Sequence, residues 1–363
     1  VTVPEAGHFI SAYAAGVCAG VLIMAAAARK MPLKTLLLII VGIITLGNTL
    51  TVFVGSYHLM LFSRFIAGLP HGAYFGAAGV LCTQLAEPGK ASRDMCLMVA
   101  GMTIANLAGV PLASFLAWAV SWRAAFAIAA AAALITFAAI RITVPKVPAL
   151  PDSGFAAQFR FLRSLEPWLV LGAIGLGNGG FFAYYSYVNP VMEHVAAVPA
   201  SMMSVVITLA GAGMVLGNLF CAKISSSFSD ESLAAAAGQG VLLLSLASVF
   251  FLAHWSPAAI ALTTLAAGCV FFISGPEQVL MIRNAKEGQL LAASLAQVSF
   301  NAGNAVGAWL GGLPIDAGKA ANWAAMPGFF LALAGFGLLF VNWLIHRVRE
   351  EERTAGRIAA LKD

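Results

Sequence analysis

Arg64, Gly68, His71 and Phe75 follow one another at i, i+4, i+7 and i+11, so on a helix they share one face. They lie in the otherwise apolar stretch 58–84, with His71 at its middle and Arg64 about 10 Å away along the axis at ~1.5 Å per residue. A guanidinium is always charged and an imidazole changes protonation near neutral pH, so such a face lining an aqueous cavity could attract an anionic or polar group beside a proton carrier. Alternatively, Arg64 hydrogen-bonds backbone carbonyls of a neighbouring helix and holds that part of the fold together. His71 is equally open between the two roles.

Glu277 follows Pro276, about 12 Å from the middle of the apolar stretch 257–281. A carboxyl there could carry protons, or it could reach water and a basic loop residue. Residues 167–190 are rich in hydrogen-bonding groups: Asn178, Tyr184, Tyr185, Tyr187 and Asn189. Tyr184 and Tyr187 are three apart and form either a substrate wall or an aromatic belt at an interface, whereas Asn178 is deeper and favours a cavity. Asn106, Asn301 and Asn304 read as interhelical hydrogen bonds beside close glycine packing. Gly109 and Pro111 predict a bend in the stretch 95–117, and Asp94 at its start suits a gate or a helix N-terminal charge.

The elements that must position these residues are eleven apolar stretches of about 20 residues, the length that crosses a hydrocarbon core roughly 30 Å thick. They lie near 7–28, 35–54, 58–84, 95–117, 123–143, 167–190, 200–221, 231–252, 257–281, 289–312 and 322–346. Of the 363 residues 61% are hydrophobic and 10% charged, far below the charge of a soluble domain, and the mean hydropathy is +0.90. The net charge of +5 does not point to nucleic acid, because the basic residues sit in alternate loops. Arg123 and Lys319 fall in the opposite loops and Arg64 in a span; all other Lys and Arg fall in one set, which the positive-inside rule puts in the cytoplasm together with the C-terminus. The five cysteines show no CxxC pairing and read as packing residues.

The loop at 144–166, with three prolines and four basic residues at its edges and within it, divides five spans from six. Gly16 and Gly20 recur as Gly213 and Gly217 at an offset of 197, and Asn106 with Gly109 recurs as Asn301, Asn304 and Gly307. This parallel repeat predicts a half at 1–143, a central cytoplasmic loop at 144–166, a second half at 167–346 and a cytoplasmic tail at 347–363. The same offset predicts a further span of roughly 30 residues before Val1. The expected fold is an all-α membrane protein, a 6+6 helix bundle with 11 of 12 spans in this sequence.

The segments "PEAGHFISAYAAGVCAG" (4–20), "SRFIAGLPHGAYFGAA" (63–78), "GMTIANLAGVPLASFL" (101–116), "SWRAAF" (121–126), "FAYYSYVNPVM" (182–192), "AGMVLGN" (212–218) and "FNAGNAVGAWLGG" (300–312) together resemble the major facilitator superfamily. Within it the chain is similar to the drug/proton antiporter branch and to arabinose-efflux-permease-type proteins, over nearly its whole length. The resemblance implies that Arg64 is the family's fourth-helix arginine and that Gly101, Gly109 and Pro111 are its antiporter motif. The loop "AAAARKMPLK" (25–34) departs from the family by lacking an acidic residue.

The function expected is secondary active transport: proton-coupled efflux of a small sugar-like or drug-like solute by alternating access. No nucleotide-binding G-x-x-x-x-G-K-[ST] loop occurs, so the expected energy source is an ion gradient, the proton gradient first, or the solute's own gradient, and no cofactor or metal is expected. The alternatives are an inactive remnant of such a transporter and an intramembrane enzyme, for which only His71 and Glu277 are candidates. The expected partners are a small-molecule substrate and the lipid bilayer, with no nucleic acid, and the chain is expected to act as a monomer in the bacterial inner membrane.

Overall fold

The computed structural model describes residues 9, 12–13, 15–17, 19–21, 23, 31–149, 154, 156–224, 227 and 230–360. The loop residues 25–30, Cys18, Pro151 and Lys362 lie outside them. Among the described residues all regular structure is helical, and the one extended pairing is an isolated antiparallel bridge between Pro32 and Ala149. The helices are α1 (within 9–23), α2 (Leu33–Phe53), α3 (Tyr57–Leu85), α4 (Ala91–Ile104), α5 (Val110–Ala119), α6 (Trp122–Thr143), α7 (Glu166–Tyr185), α8 (Met203–Ile224), α9 (Glu231–Leu252), α10 (Ser256–Asn284), α11 (Gln289–Asp316) and α12 (Ala325–Ala360).

Seven helical segments among the described residues are long and apolar enough to cross a membrane: α2, α3, α6, α8 with the turn before it, α9, α10 and the first part of α12 with its preceding turn. Phe53, Ile135 and Ile142 are 82%, 70% and 80% exposed. In water these side chains would be a liability; against acyl chains they are the expected outer face. The helices also settle polar groups internally. Thr45, Asn48 and Thr51 each return a hydrogen bond to the carbonyl four residues earlier, at 2.8–2.9 Å. Ser56, Ser121 and Asp230 cap the starts of α3, α6 and α9. Lys34 donates to the carbonyls of Arg141 (2.9 Å) and Val144 (2.7 Å), tying the start of α2 to the end of α6.

The bend expected at Gly109 and Pro111 takes a definite form. Residues Ala105–Gly109 make a turn of π-helix between α4 and α5. Proline has no N–H to give the carbonyl four residues back, and a wider turn is one way the helix absorbs that loss.

The chain forms two compact units: Val1–Ala91 with Gly101–Arg163 and Met281–Val298, and Ser92–Ala100 with Ser164–Leu280 and Ser299–Asp363. Each unit contains the same crossing. In the first, the α-carbons of Gly16 and Gly20 face the carbonyls of Phe65 and Leu69 on α3; in the second, Gly213 and Gly217 face those of Thr264 and Gly268 on α10. The repeat seen in the glycines is therefore a repeat of contacts, at offsets of 197 on one helix and 199 on its partner. A second glycine line, Gly303, Gly307 and Gly311 on α11, lies against Gly175, Gly179 and Ala183 on α7. Side chains at Gly303, Gly307 and Gly311 would strike backbone, so the close approach requires glycine there.

Candidate functional site

The α1–α3 crossing brings a third residue to the Arg64–His71 face. The Arg64 guanidinium carbon lies 4.7 Å from the ring centre of Tyr13 on α1 and 5.2 Å from that of Phe126 on α6. The Tyr13 hydroxyl shares a 2.9 Å hydrogen bond with His71 Nδ1, and the His71 ring is 5.4 Å from that of Phe75. Arg64, Tyr13, His71 and Phe75 thus form one line of contacts within the first unit. Tyr13 is the residue that sequence reasoning missed. It stands one turn from Gly16, and the glycine crossing is the signal that could have found it.

Arg64 is half-buried, and among the described residues no carboxylate and no carbonyl accepts its N–H groups. Arg123, by contrast, holds described backbone, donating to Val52 O (3.1 Å) and Val54 O (3.0 Å) while its guanidinium covers Trp122 at 4.4 Å. The two arginines line a cavity of about 570 Å³ at the Ser56 end of α3.

In the second unit the hydroxyls of Tyr184 and Tyr187 are already engaged. Tyr184, fully buried, bonds Thr263 Oγ1 on α10 at 2.6 Å, and Tyr187 donates to Ala308 O on α11 at 2.9 Å. Asn178 is buried and donates to Ile174 O in its own helix at 2.8 Å. Tyr185 stacks on Phe181 with centroids 4.7 Å apart. A ligand reaching Tyr184 or Tyr187 has to displace a helix–helix bond.

Glu277 is 3% exposed, and its Oε1 has no hydrogen-bond partner, as is true of Oε1 of the adjacent Gln278. No salt bridge joins it to a described basic residue. The carboxyl is turned into the helix packing rather than toward water, which its distance from the span's middle alone did not indicate. Asp94 lies in the first turn of α4 and pairs with Arg93 at 2.8 Å. Asn106, within the π turn, and Asn301 are exposed, and Asn304 is half-buried with Oδ1 unpartnered. Among the described residues no group of three His, Cys, Asp or Glu is placed to hold a metal.

Residues 1–290 match the Major Facilitator Superfamily profile. The chain is 36% identical over 341 residues to AraJ of Escherichia coli (strain K12), covering 94% of this chain and 86% of AraJ. It is 25% identical over 288 residues to the purine ribonucleoside efflux pump NepI of Shigella sonnei (strain Ss046), covering 78% and 71%. The crystal structure of the transporter FucP in the outward conformation superposes with a TM-score of 0.78 at 17% identity, covering 94% and 91% of the two chains.

Proposed function

Because the chain belongs to the major facilitator superfamily, and is a multi-pass membrane transporter of the arabinose-efflux-permease type rather than an enzyme, we propose that it exports a small sugar-like or drug-like solute in exchange for protons. The observation that carries the coupling is Glu277: an acid 3% exposed, in a span, with no basic partner among the described residues. Such a group is costly unless its charge follows its access to water, which is what a proton-coupled cycle needs. Export is suggested by the relative named as an efflux pump.

In this proposal the chain moves its solute by alternating access. Arg64 and His71 lie on the solute's path in the first unit, and Asn178, Tyr184 and Tyr187 serve it in the second. The π turn with Gly109 and Pro111, Asp94, Asn106, Asn301 and Asn304 belong to the parts that move. In the same proposal the protein lies in a bacterial inner membrane with the C-terminus in the cytoplasm and the Ser56 end of α3 outside, an orientation the positive-inside count supports.

The test is uptake into inside-out vesicles of a panel of sugars, nucleosides and antibiotics, with and without an imposed proton gradient. At least one solute is expected to accumulate only with the gradient, and Glu277→Gln to lose that accumulation while keeping downhill exchange. Accumulation unaffected by removing the gradient would refute proton coupling.

A further inference from the structure

The cavity at the Ser56 end of α3 is built for a particular chemistry. Its volume of about 570 Å³ falls in the range that holds small organic ligands. Four rings line it: Phe9, Tyr57, Trp122 and Phe126. Among the described lining residues the charged side chains are Arg64 and Arg123. Arg123 spends two donors on the carbonyls of Val52 and Val54 and its face on Trp122, so it serves the wall. Arg64 is held differently. Rings lie against its guanidinium at 4.7 and 5.2 Å, which fixes its position, while its N–H groups find no acceptor among the described residues.

A guanidinium seated between rings, whose donors no described residue accepts, suits an added acceptor, and the complement of a planar fork of N–H groups is a carboxylate or a similar oxyanion. The rings around it favour a flat apolar body, which gains by stacking and by leaving water. A neutral sugar would leave those donors poorly matched, and a cation would be repelled by both arginines. From this combination we infer that the cavity is a binding site for an aromatic anion, with Arg64 taking the oxyanion and Phe9, Tyr57, Trp122 and Phe126 enclosing the ring. This rests on the transporter reading for its meaning as substrate selectivity, and it narrows the solute from sugar-like or drug-like to aryl carboxylates and their relatives.

Binding of radiolabelled 1-naphthoate to the purified chain in lipid nanodiscs tests it, with 1-naphthylmethanol and cyclohexanecarboxylate as competitors. Both competitors lack one half of the recognised chemistry, and each is expected to bind at least about tenfold more weakly than naphthoate. Arg64→Gln should reduce naphthoate to the level of the alcohol, and Arg64→Lys should retain part of the preference. If Arg64→Gln does not fold, the lysine variant and the competitor ratios in the unaltered protein decide. Equal binding of naphthoate and the alcohol, no naphthoate binding, or a preference undiminished in Arg64→Gln would overturn the inference.

Counterflow in proteoliposomes separates this from the wider reading. Exchange of a neutral solute or a cation, with no naphthoate binding, would leave a transporter and remove the aromatic-anion class. Naphthoate binding with its Arg64 dependence, but no counterflow of any solute, would leave the site and refute transport.

Discussion

The hydrogen bond between Tyr184 and Thr263 can be assigned a direction, and the direction predicts an asymmetry. Thr263 has one hydroxyl proton, and its oxygen lies 2.7 Å from Ala259 O, an acceptor only. The Tyr184 hydroxyl, 2.6 Å from the same oxygen, must therefore be the donor. Both side chains are at most 1% exposed, so no water is at hand to replace either partner. Tyr184→Phe removes the donor and leaves no donor unsatisfied; hydrogen bonds between membrane helices average about 0.6 kcal/mol, and that is the expected cost. Thr263→Val keeps the shape but strands the tyrosine O–H in an apolar interior, at a cost of about 1–3 kcal/mol. The double variant removes both groups and should be about as stable as Tyr184→Phe alone. Reversible unfolding in mixed micelles, run as a double-mutant cycle, measures all three. Tyr184→Phe costing as much as Thr263→Val, or a double variant at the sum of the two, would refute the assignment.

Four further outcomes follow from the described geometry. Arg64→Ala should reach the membrane at normal levels and abolish export; export at the parental rate would remove Arg64 from the solute path. Tyr13→Phe keeps the ring 4.7 Å from Arg64 and loses only the 2.9 Å bond to His71, so export should fall by at most about tenfold. Tyr13→Leu also loses the ring–cation contact, a further ~0.5–2 kcal/mol, and equal impairment of the two variants would show that the ring has no part. Glu277→Gln should flatten the pH dependence of gradient-driven uptake in inside-out vesicles, and an unchanged profile would return that carboxyl to packing. A side chain at Gly307 would begin 2.7 Å from the Gly179 carbonyl carbon, so Gly307→Val should cost about 1–3 kcal/mol or more, read as a lowered melting temperature in detergent; unchanged melting would refute the close crossing.

Periodicity made the Arg64–His71–Phe75 face legible, because position along one helix fixes direction around it. It could not supply Tyr13, since which residue of another helix meets that face depends on where the two helices cross. The glycines came nearest to giving this: Gly16 and Gly20 marked a crossing, and Gly213 and Gly217 its repeat, but not the carbonyls they meet. Glu277 was hidden for the opposite reason. Its depth along α10 suggested an interface, while rotation about the axis turns the carboxyl into the packing. The tyrosines near the end of α7 looked free for a ligand because a hydroxyl's partner is set by tertiary contact, here Thr263 and Ala308. Pro111 announced a bend, yet nothing in the residue types distinguished a wide turn from an open kink.

That wide turn has an evolutionary consequence. The five residues Ala105–Gly109 complete a turn that an α-helix would complete with fewer, so they act as about one inserted residue whose excess is absorbed locally. Downstream, α5 therefore presents faces rotated by roughly 100° from those an unbroken helix would present. A relative that lost one residue here would close the wide turn into ordinary α-helix, keep the length to within ~1.5 Å, and bring the same row of α5 side chains to each neighbour. In sequence comparisons such a change appears as a single-residue gap in the middle of a membrane span, where alignment methods penalise gaps most. Faces of α5 compared across relatives should be matched only after counting residues through this turn.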